Sequence, residues 1–590
     1  MLTHLSKITL SLLRLFNKLS TRQFLIIAAI VIALLTGLMV IALKFCVHYL
    51  QLHAQTLSSS HPALTVITPL AGITVTVLVI RLLFNGELAR GTAFVLLAIA
   101  RKGSRISAKE IYGHPLTTAL TVGLGGSTGI ESPIVQTGAA IGSTVSSYFP
   151  IGYKERTLLL ACGAAAGIAA AFNAPIAGVL LALEVLLVDI NVAAFIPLLI
   201  AGATGALCSN ILSGDTILLS FPQITEFNYH NILFYIGLGI LCGLNSAYYI
   251  RGFIVVQNHL KFLIRKEFTR IIVGCTILGT AILFIPALYG EGMNAIRSLA
   301  GNRPADLFNT EIIPIQFISG QLTVALMVFS LVLLKPLAAG LTIGAGGTGG
   351  NFAPSLFVGA CLGFALAIVF HAFGFERVPV MNFCLVGMAG SLAGIFHSPL
   401  TAIFLIAELT GGYGLMIPLI MVAAISSGIS KYISPASLDE TILNQKLSGF
   451  AFDKDIRLLS SLDVREFIET DFGIVRNGTS LREFVSVIAQ SKRNIFPVVN
   501  DTGKLLGIIM LDDIREIMFN QSSYDVLTVD QLMHPPAVKV QPNENMGSIM
   551  EKFDKFNIWS IPVEDGQGQY LGFISKSKIF SSYRDNLKVS

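Results

Sequence analysis

The sequence predicts an all-α polytopic membrane protein with inverted-topology repeats and broken half-helices, followed by a soluble C-terminal α/β tail of two small units. Three observations carry this reading. Of 590 residues, 53% are hydrophobic and 13% are charged, against about 25% charged in ordinary soluble domains. The charge is uneven: the tail has ordinary composition, and most of the chain before it is nearly charge-free. A set of glycine-rich segments also occurs twice, in the same order.

The elements follow in order. Residues 1–23 form a basic, amphipathic segment (Lys7, Arg14, Lys18, Arg22). It has no cleavable-signal pattern, since a long apolar anchor follows Arg22. Residues 25–50 and 61–83 read as spans joined by an exterior loop, and 89–100 as a short apolar segment before a basic loop. Residues 115–122 run into the gate stretch. Residues 158–187 form a long apolar run broken at Asn173, Ala174 and Pro175. Further apolar pieces cover 194–211, 231–249, 271–288, 317–334, 336–342, 354–370, 383–407 and 415–429, with exterior loops at 215–228 and 290–310. The basic loops at 101–109, 154–156 and 251–270 belong in the cytoplasm by the positive-inside rule. Many pieces are too short or too broken for simple spans. Such helices are tolerated where protein or a cavity covers them, and are typical where half-helix ends bind ions.

The gate stretch is 123–142, GLGGSTGIESPIVQTGAAIG. Its one carboxylate, Glu131, lies just before Pro133 at a helix start, where free N–H groups and the helix dipole hold an anion or a carboxylate in its place. A simple capping acid is the plain alternative. Pro133 and Pro354 stand 221 residues apart, and Pro175 and Pro399 stand 224 apart. Near-constant spacing points to a duplicated transport unit whose copies insert upside down relative to each other. Small-residue packing motifs are the bland alternative.

The net charge of +5 falls in short loops and does not argue for nucleic acid. The seven cysteines form no C-x-x-C pair and read as buried small apolar residues, and no cluster has metal-ligand spacing. Phosphate-loop and dinucleotide fingerprints are absent, and no motif points to an enzyme.

GIESP, GGNFAP at 349–354, AAAFNAPIAG at 169–178 and HSPLTAIFLIAELTG at 397–411 together resemble the CLC family of chloride channels and chloride/proton antiporters. The resemblance covers about 24–447. It implies a homodimer in a lipid bilayer, a bacterial inner membrane, with both termini cytoplasmic and an anion path in each subunit. It implies that Glu131 is the gating glutamate and that the amides of Asn351 and Phe352 bind the anion. Arg90 falls where the family has a serine ligand and Asp439 where it has a tyrosine; Ile130 and Ser132 also depart from the family's gate motif. Arg90 either restores positive potential at the site or begins the basic surface. Glu184 is a proton relay or a structural acid. Val185 replaces the second acid of many antiporters, so the resemblance implies channel-like chloride transport. The alternatives are chloride/proton exchange by another internal route, and transport of nitrate or fluoride.

The tail resembles a pair of CBS domains, 464–522 and 523–590, joined to the membrane domain by a linker at 448–463. Such pairs often hold an adenine nucleotide with a hydroxyl and an acid. Here Asp513 and Ser575 are kept, while Met510 and Lys578 stand at the other two positions. A structural pair without a nucleotide is the other reading. Transport itself implies no cofactor.

Overall fold

Ser20 opens the first helix: its hydroxyl accepts from the Gln23 amide while the Gln23 side chain accepts from the Ser20 amide, a capping box. From there α1 runs Thr21–Ser60, well past the expected 25–50, because no proline interrupts it before Pro62. The structure is a computed structural model. It describes residues 20–86, 88, 91–101, 103–186, 192–213, 226–309, 312, 320–446, 464–542, 544, 546–556, 558–579 and 581. The chain divides into two units, Met1–Ala451 and Phe452–Ser590.

In the first unit α2 (Leu64–Phe84), α3 (Ala93–Arg101) and α4 (Glu110–Gly123) lead to the gate stretch. α5 (Glu131–Ser147) and α6 (Tyr153–Phe172) follow, then α7 (Pro175–Leu181), which runs on into one π turn at Ala182–Leu186. Next come α8 (Val192–Ser213), α9 (Ile232–Leu263), α10 (Glu267–Phe284) and the short α11 (Met293–Ala300). The second copy comprises α12 (Gln321–Ala345), α13 (Phe352–Ala372), α14 (Val380–Phe396), α15 (Pro399–Leu409) and α16 (Met416–Ile433), and α17 (Leu438–Lys446) closes the unit. Among the described residues, nine helices are long and apolar enough to cross a membrane.

Three elements differ from expectation. Helix α9 continues through residues expected as a cytoplasmic loop, since Arg251 and Lys261 lie in good helical sequence without a stop before Ile264. The pieces 317–334 and 336–342 are one helix, α12, with Pro336 buried inside it; close packing tolerates the lost hydrogen bond. The run 383–407 is two helices, broken where His397 takes a left-handed conformation (φ 57°). Asn173 does the same between α6 and α7 (φ 55°), so the repeat includes its break. Six of the cysteines are buried; Cys46 is the exception, on an uncovered face of α1.

The tail is itself duplicated. Strands β1 (Val475–Arg476), β2 (Ile495–Val499) and β3 (Leu505–Met510) form one sheet, with β1 parallel and β3 antiparallel to β2. β4 (Ser560–Glu564) and β5 (Tyr570–Ser575) form an antiparallel pair. Pro497 pairs with Ile508 as Pro562 pairs with Phe573, and each hairpin has one bulge at the same place. The two cores exchange segments. Val464 and Phe467 pack with Ile549, Ile561 and Ile574, while Val529 packs with Leu481, Phe496 and Ile509. Each small unit therefore borrows part of its core from chain assigned to the other.

Candidate anion site at the gate

The two glycine-rich loops meet backbone to backbone. Gly129 and Gly350 exchange N–H···O bonds of 2.8 Å each, as an antiparallel bridge. The bridge brings the starts of α5 and α13 together inside the first unit, as inverted copies require.

Glu131 lies at this junction, 2% exposed. Its Oε2 accepts from the Ala353 amide at 3.3 Å, in the first turn of α13. The amides of Asn351 and Phe352, expected to bind the anion, directly precede this donor in the same helix start. Asn351 is buried, and its Oδ1 accepts from the Tyr249 hydroxyl at 3.0 Å, which holds the loop. Phe352 lies between Phe172 and Phe396, with ring centroids 5.7 and 5.6 Å away. Those two rings end α6 and α14, the matching helices of the two copies.

Beside the gate is a cavity of about 20 Å³, room for about one water or one small ion. Thr92, Ser132, Val185, Phe352, Ser398 and Asp439 line it. The Thr92 hydroxyl donates to Ser132 Oγ at 3.0 Å. The sequence placed a ligand at Arg90, which lies outside the described residues; Thr92, two residues on, reaches the cavity. Neutral hydroxyl and amide donors attract an anion without trapping it, as fast passage requires.

Three charges gather near the gate, Lys335 buried and Lys44 and Glu291 half-buried. Lys44 on α1 donates to the carbonyls of Ala170 (3.2 Å) and Ala171 at the end of α6, where a cation suits the helix dipole. Lys335 on α12 donates to the carbonyls of Leu288 (3.3 Å) and Gly290 (2.8 Å) and lies 5.1 Å over the Phe357 ring. Glu291 is within electrostatic reach of both lysines and of Arg297, and Glu131 senses both Glu291 and Lys44. For the two lysines, a charged residue inside an apolar run is the available signal.

Glu184 is engaged in the scaffold. Its carboxylate accepts from the amides of Leu400 (3.0 Å) and Thr401 (2.8 Å) and from the Thr401 hydroxyl (2.6 Å), at the start of α15. Glu408 returns the arrangement, accepting from Ile176 (3.0 Å) and Ala177 (2.9 Å) at the start of α7. Each copy thus caps the other's helix. Losing a cap costs about 0.5–2 kcal/mol. Glu184→Ala and Glu408→Ala should each lower the melting temperature of the purified protein by several degrees. A melting curve unchanged by either would remove the capping role.

In the tail, the Ser575 hydroxyl donates to the Glu469 carboxylate, which also pairs with Arg493 at 2.5 Å. Asp513 lies 4.0 Å from His534. The Ser575 hydroxyl is thus already engaged by a protein carboxylate. Arg493 also bonds Asp471 at 2.6 Å and holds that carboxyl below its usual range. This contribution is present above about pH 4 and fades as pH falls through the depressed value. Arg493→Ala should therefore destabilise the tail at neutral pH, with the gap to the parent narrowing in acid. A gap constant from pH 7 to pH 2 by thermal melting would refute it.

Comparison with known proteins bears on the family and the fold. Residues 72–431 match the family described as voltage gated chloride channel, and 464–520 and 529–585 match the CBS domain. A putative chloride channel protein ClcB-like from Ralstonia nicotianae is 29% identical over 353 residues, 59% of this chain and 77% of the relative. An H(+)/Cl(-) exchange transporter ClcA from Cronobacter sakazakii is 28% identical over 336 residues, 56% of this chain and 68% of the relative. The crystal structure of a slow cyanobacterial Cl-/H+ antiporter shares the fold, with a TM-score of 0.62 and 24% identity over 73% of this chain and 99% of that one. The chain belongs to the voltage gated chloride channel family and carries a pair of CBS domains in its tail.

Proposed function

We propose that this protein moves chloride across a membrane along a path that Glu131 closes. The observation that carries the reading is the Glu131 carboxylate on the Ala353 amide, where the two half-helix starts meet. A carboxylate on a helix-start donor occupies an anion's place. Protonating it, or displacing it with an anion, opens the path. The neutral hydroxyls of Thr92, Ser132 and Ser398 line the adjoining cavity.

Valine at 185 removes the carboxylate that many family antiporters carry there, and passive conduction is the simplest version of the path. Proton-coupled exchange is the second reading. Asp439 favours it, because it places another carboxylate on the cavity wall that Val185 shares. The reading includes a homodimer with cytoplasmic termini in a bacterial inner membrane. The CBS pair supports the gate structurally, with no nucleotide assigned to Asp513 and Ser575. The protein performs transport rather than a covalent reaction.

The test is flux from liposomes holding the purified protein. Chloride should leave faster than from empty liposomes and faster than nitrate or fluoride. Flux equal to that of empty liposomes overturns the reading, and preference for nitrate or fluoride reassigns the substrate.

A further inference from the structure

We propose that Lys44 and Glu291 are an opposed pair of charges that sets how readily chloride reaches the position Glu131 closes; this rests on the reading of Glu131 as the gate. Glu291 sits in a Gly–Glu–Gly turn, with Gly290 and Gly292 both in the left-handed region (φ 60° and 90°), which favours glycine. Contacts on each side pin this turn over the gate junction. The Tyr289 hydroxyl donates to the Gly123 carbonyl at 2.8 Å, at the head of the gate stretch. Gly292 lies so close to α13 that a Cβ there would fall 2.7 Å from the Phe357 ring. Phe357 stands one turn after Ala353, whose amide donates to Glu131. Lys335 holds the Gly290 carbonyl at 2.8 Å.

Lys44 reaches the same junction from α1. Its bonds to the Ala170 and Ala171 carbonyls place the ammonium at the end of α6, just before Phe172, whose ring packs on Phe352 at the start of α13. Two turns on, Gln51 of α1 lies against Gly290, its Nε2 3.1 Å from where a Cβ would stand. Helix α1 and the turn thus bring Lys44 and Glu291 within electrostatic reach of each other and of Glu131. The gate stretch brings no cation of its own, and the residue before Glu131 is the buried Ile130.

The two charges act on an anion in opposite senses. A fixed cation beside a low-dielectric path raises the local concentration of anions, and a fixed carboxylate lowers it. Lys44 attracts without trapping, because two carbonyls already hold its ammonium; binding weak enough for exit is what fast passage requires. An unopposed cation would also tighten the hold of the Glu131 carboxylate on its own site. Glu291 offsets that pull, so the gate carboxylate can leave. The plain alternative is that Lys44 only caps α6 and Glu291 only balances the neighbouring lysines. Those roles predict lost stability, and no change in how flux depends on chloride.

The experiment measures chloride flux against chloride concentration, in liposomes holding the full-length protein with Glu131→Gln, so that the plug carries no charge of its own. In that background Lys44→Met should raise the half-saturating chloride concentration by about threefold or more, and Glu291→Gln should lower it by about threefold or more. The two together should return it to within about twofold of the background. Lys44→Arg, which keeps the charge, should also stay within about twofold. Damage to the fold would move both single variants in the same direction. If Lys44→Met does not elute as folded protein, Lys44→Gln, which can still donate to the carbonyls, is read in the same way. Half-saturation unchanged in either single variant, or shifted the same way in both, overturns the proposal and leaves the gate standing. A Glu131→Gln background with flux no greater than that of empty liposomes overturns the gate reading and the pair with it.

Discussion

Glu131→Gln is expected to give a path that conducts chloride at every pH and carries no protons. In the parent the carboxylate holds the Ala353 amide at 3.3 Å within a buried junction. Hydrogen bonds to charged groups contribute about 1.5–3 kcal/mol. Losing the charge should raise anion occupancy of that position about 10- to 100-fold. Chloride conduction in the parent should rise as pH falls, because protonation neutralises the plug. The glutamine variant should show high, pH-independent chloride flux, with no proton movement coupled to it. Glu131→Ala removes the side chain and should do the same. Paired flux measurements between pH 4.5 and 7.5 check this. A glutamine variant that keeps the parent's pH dependence would mean that the carboxylate guards no anion route.

Much of this arrangement was legible because it rests on spacing. The duplicated prolines, the isolated Glu131 and the break at Asn173 all have local signals. The break at His397 was missed because the apolar run continues across HSPLT without a glycine, and a histidine in the left-handed region leaves no mark in composition. The hydroxyls of Thr92, Ser132 and Ser398 were missed for another reason. Small polar residues recur throughout apolar helices, and only the fold decides which of them share a cavity. The reciprocal caps lie between. Glu184 and Glu408 each stand nine residues after a repeat proline, but the bonds cross from one copy to the other and need both copies folded. Lys44 and Lys335 were visible as lone charges, yet their carbonyl partners are far away in sequence.

The duplication also predicts where the membrane domain fails. A side chain at Gly163 would fall on the carbonyl oxygen of Gly138, and one at Gly138 on that of Gly163. Gly359 and Gly387 stand in the same mutual relation in the second copy. These glycines let α5 approach α6, and α13 approach α14, backbone to backbone. Close α5–α6 and α13–α14 packing positions the helix starts that meet at Gly129 and Gly350. Backbone oxygens cannot retreat as a flexible side chain can. Overpacking typically costs about 1–3 kcal/mol and more where the backbone must move, against a total stability of about 5–15 kcal/mol. Gly163→Leu and Gly387→Leu should therefore remove most of the monodisperse protein in detergent gel filtration, and Gly163→Ala should lose less. Gly237→Leu is the control, because nothing lies within 4 Å of a side chain added there. Equal losses in the two copies are required if both crossings carry the site. Tolerance of Gly387→Leu beside failure of Gly163→Leu would mean that the second crossing does not hold its half of the anion path.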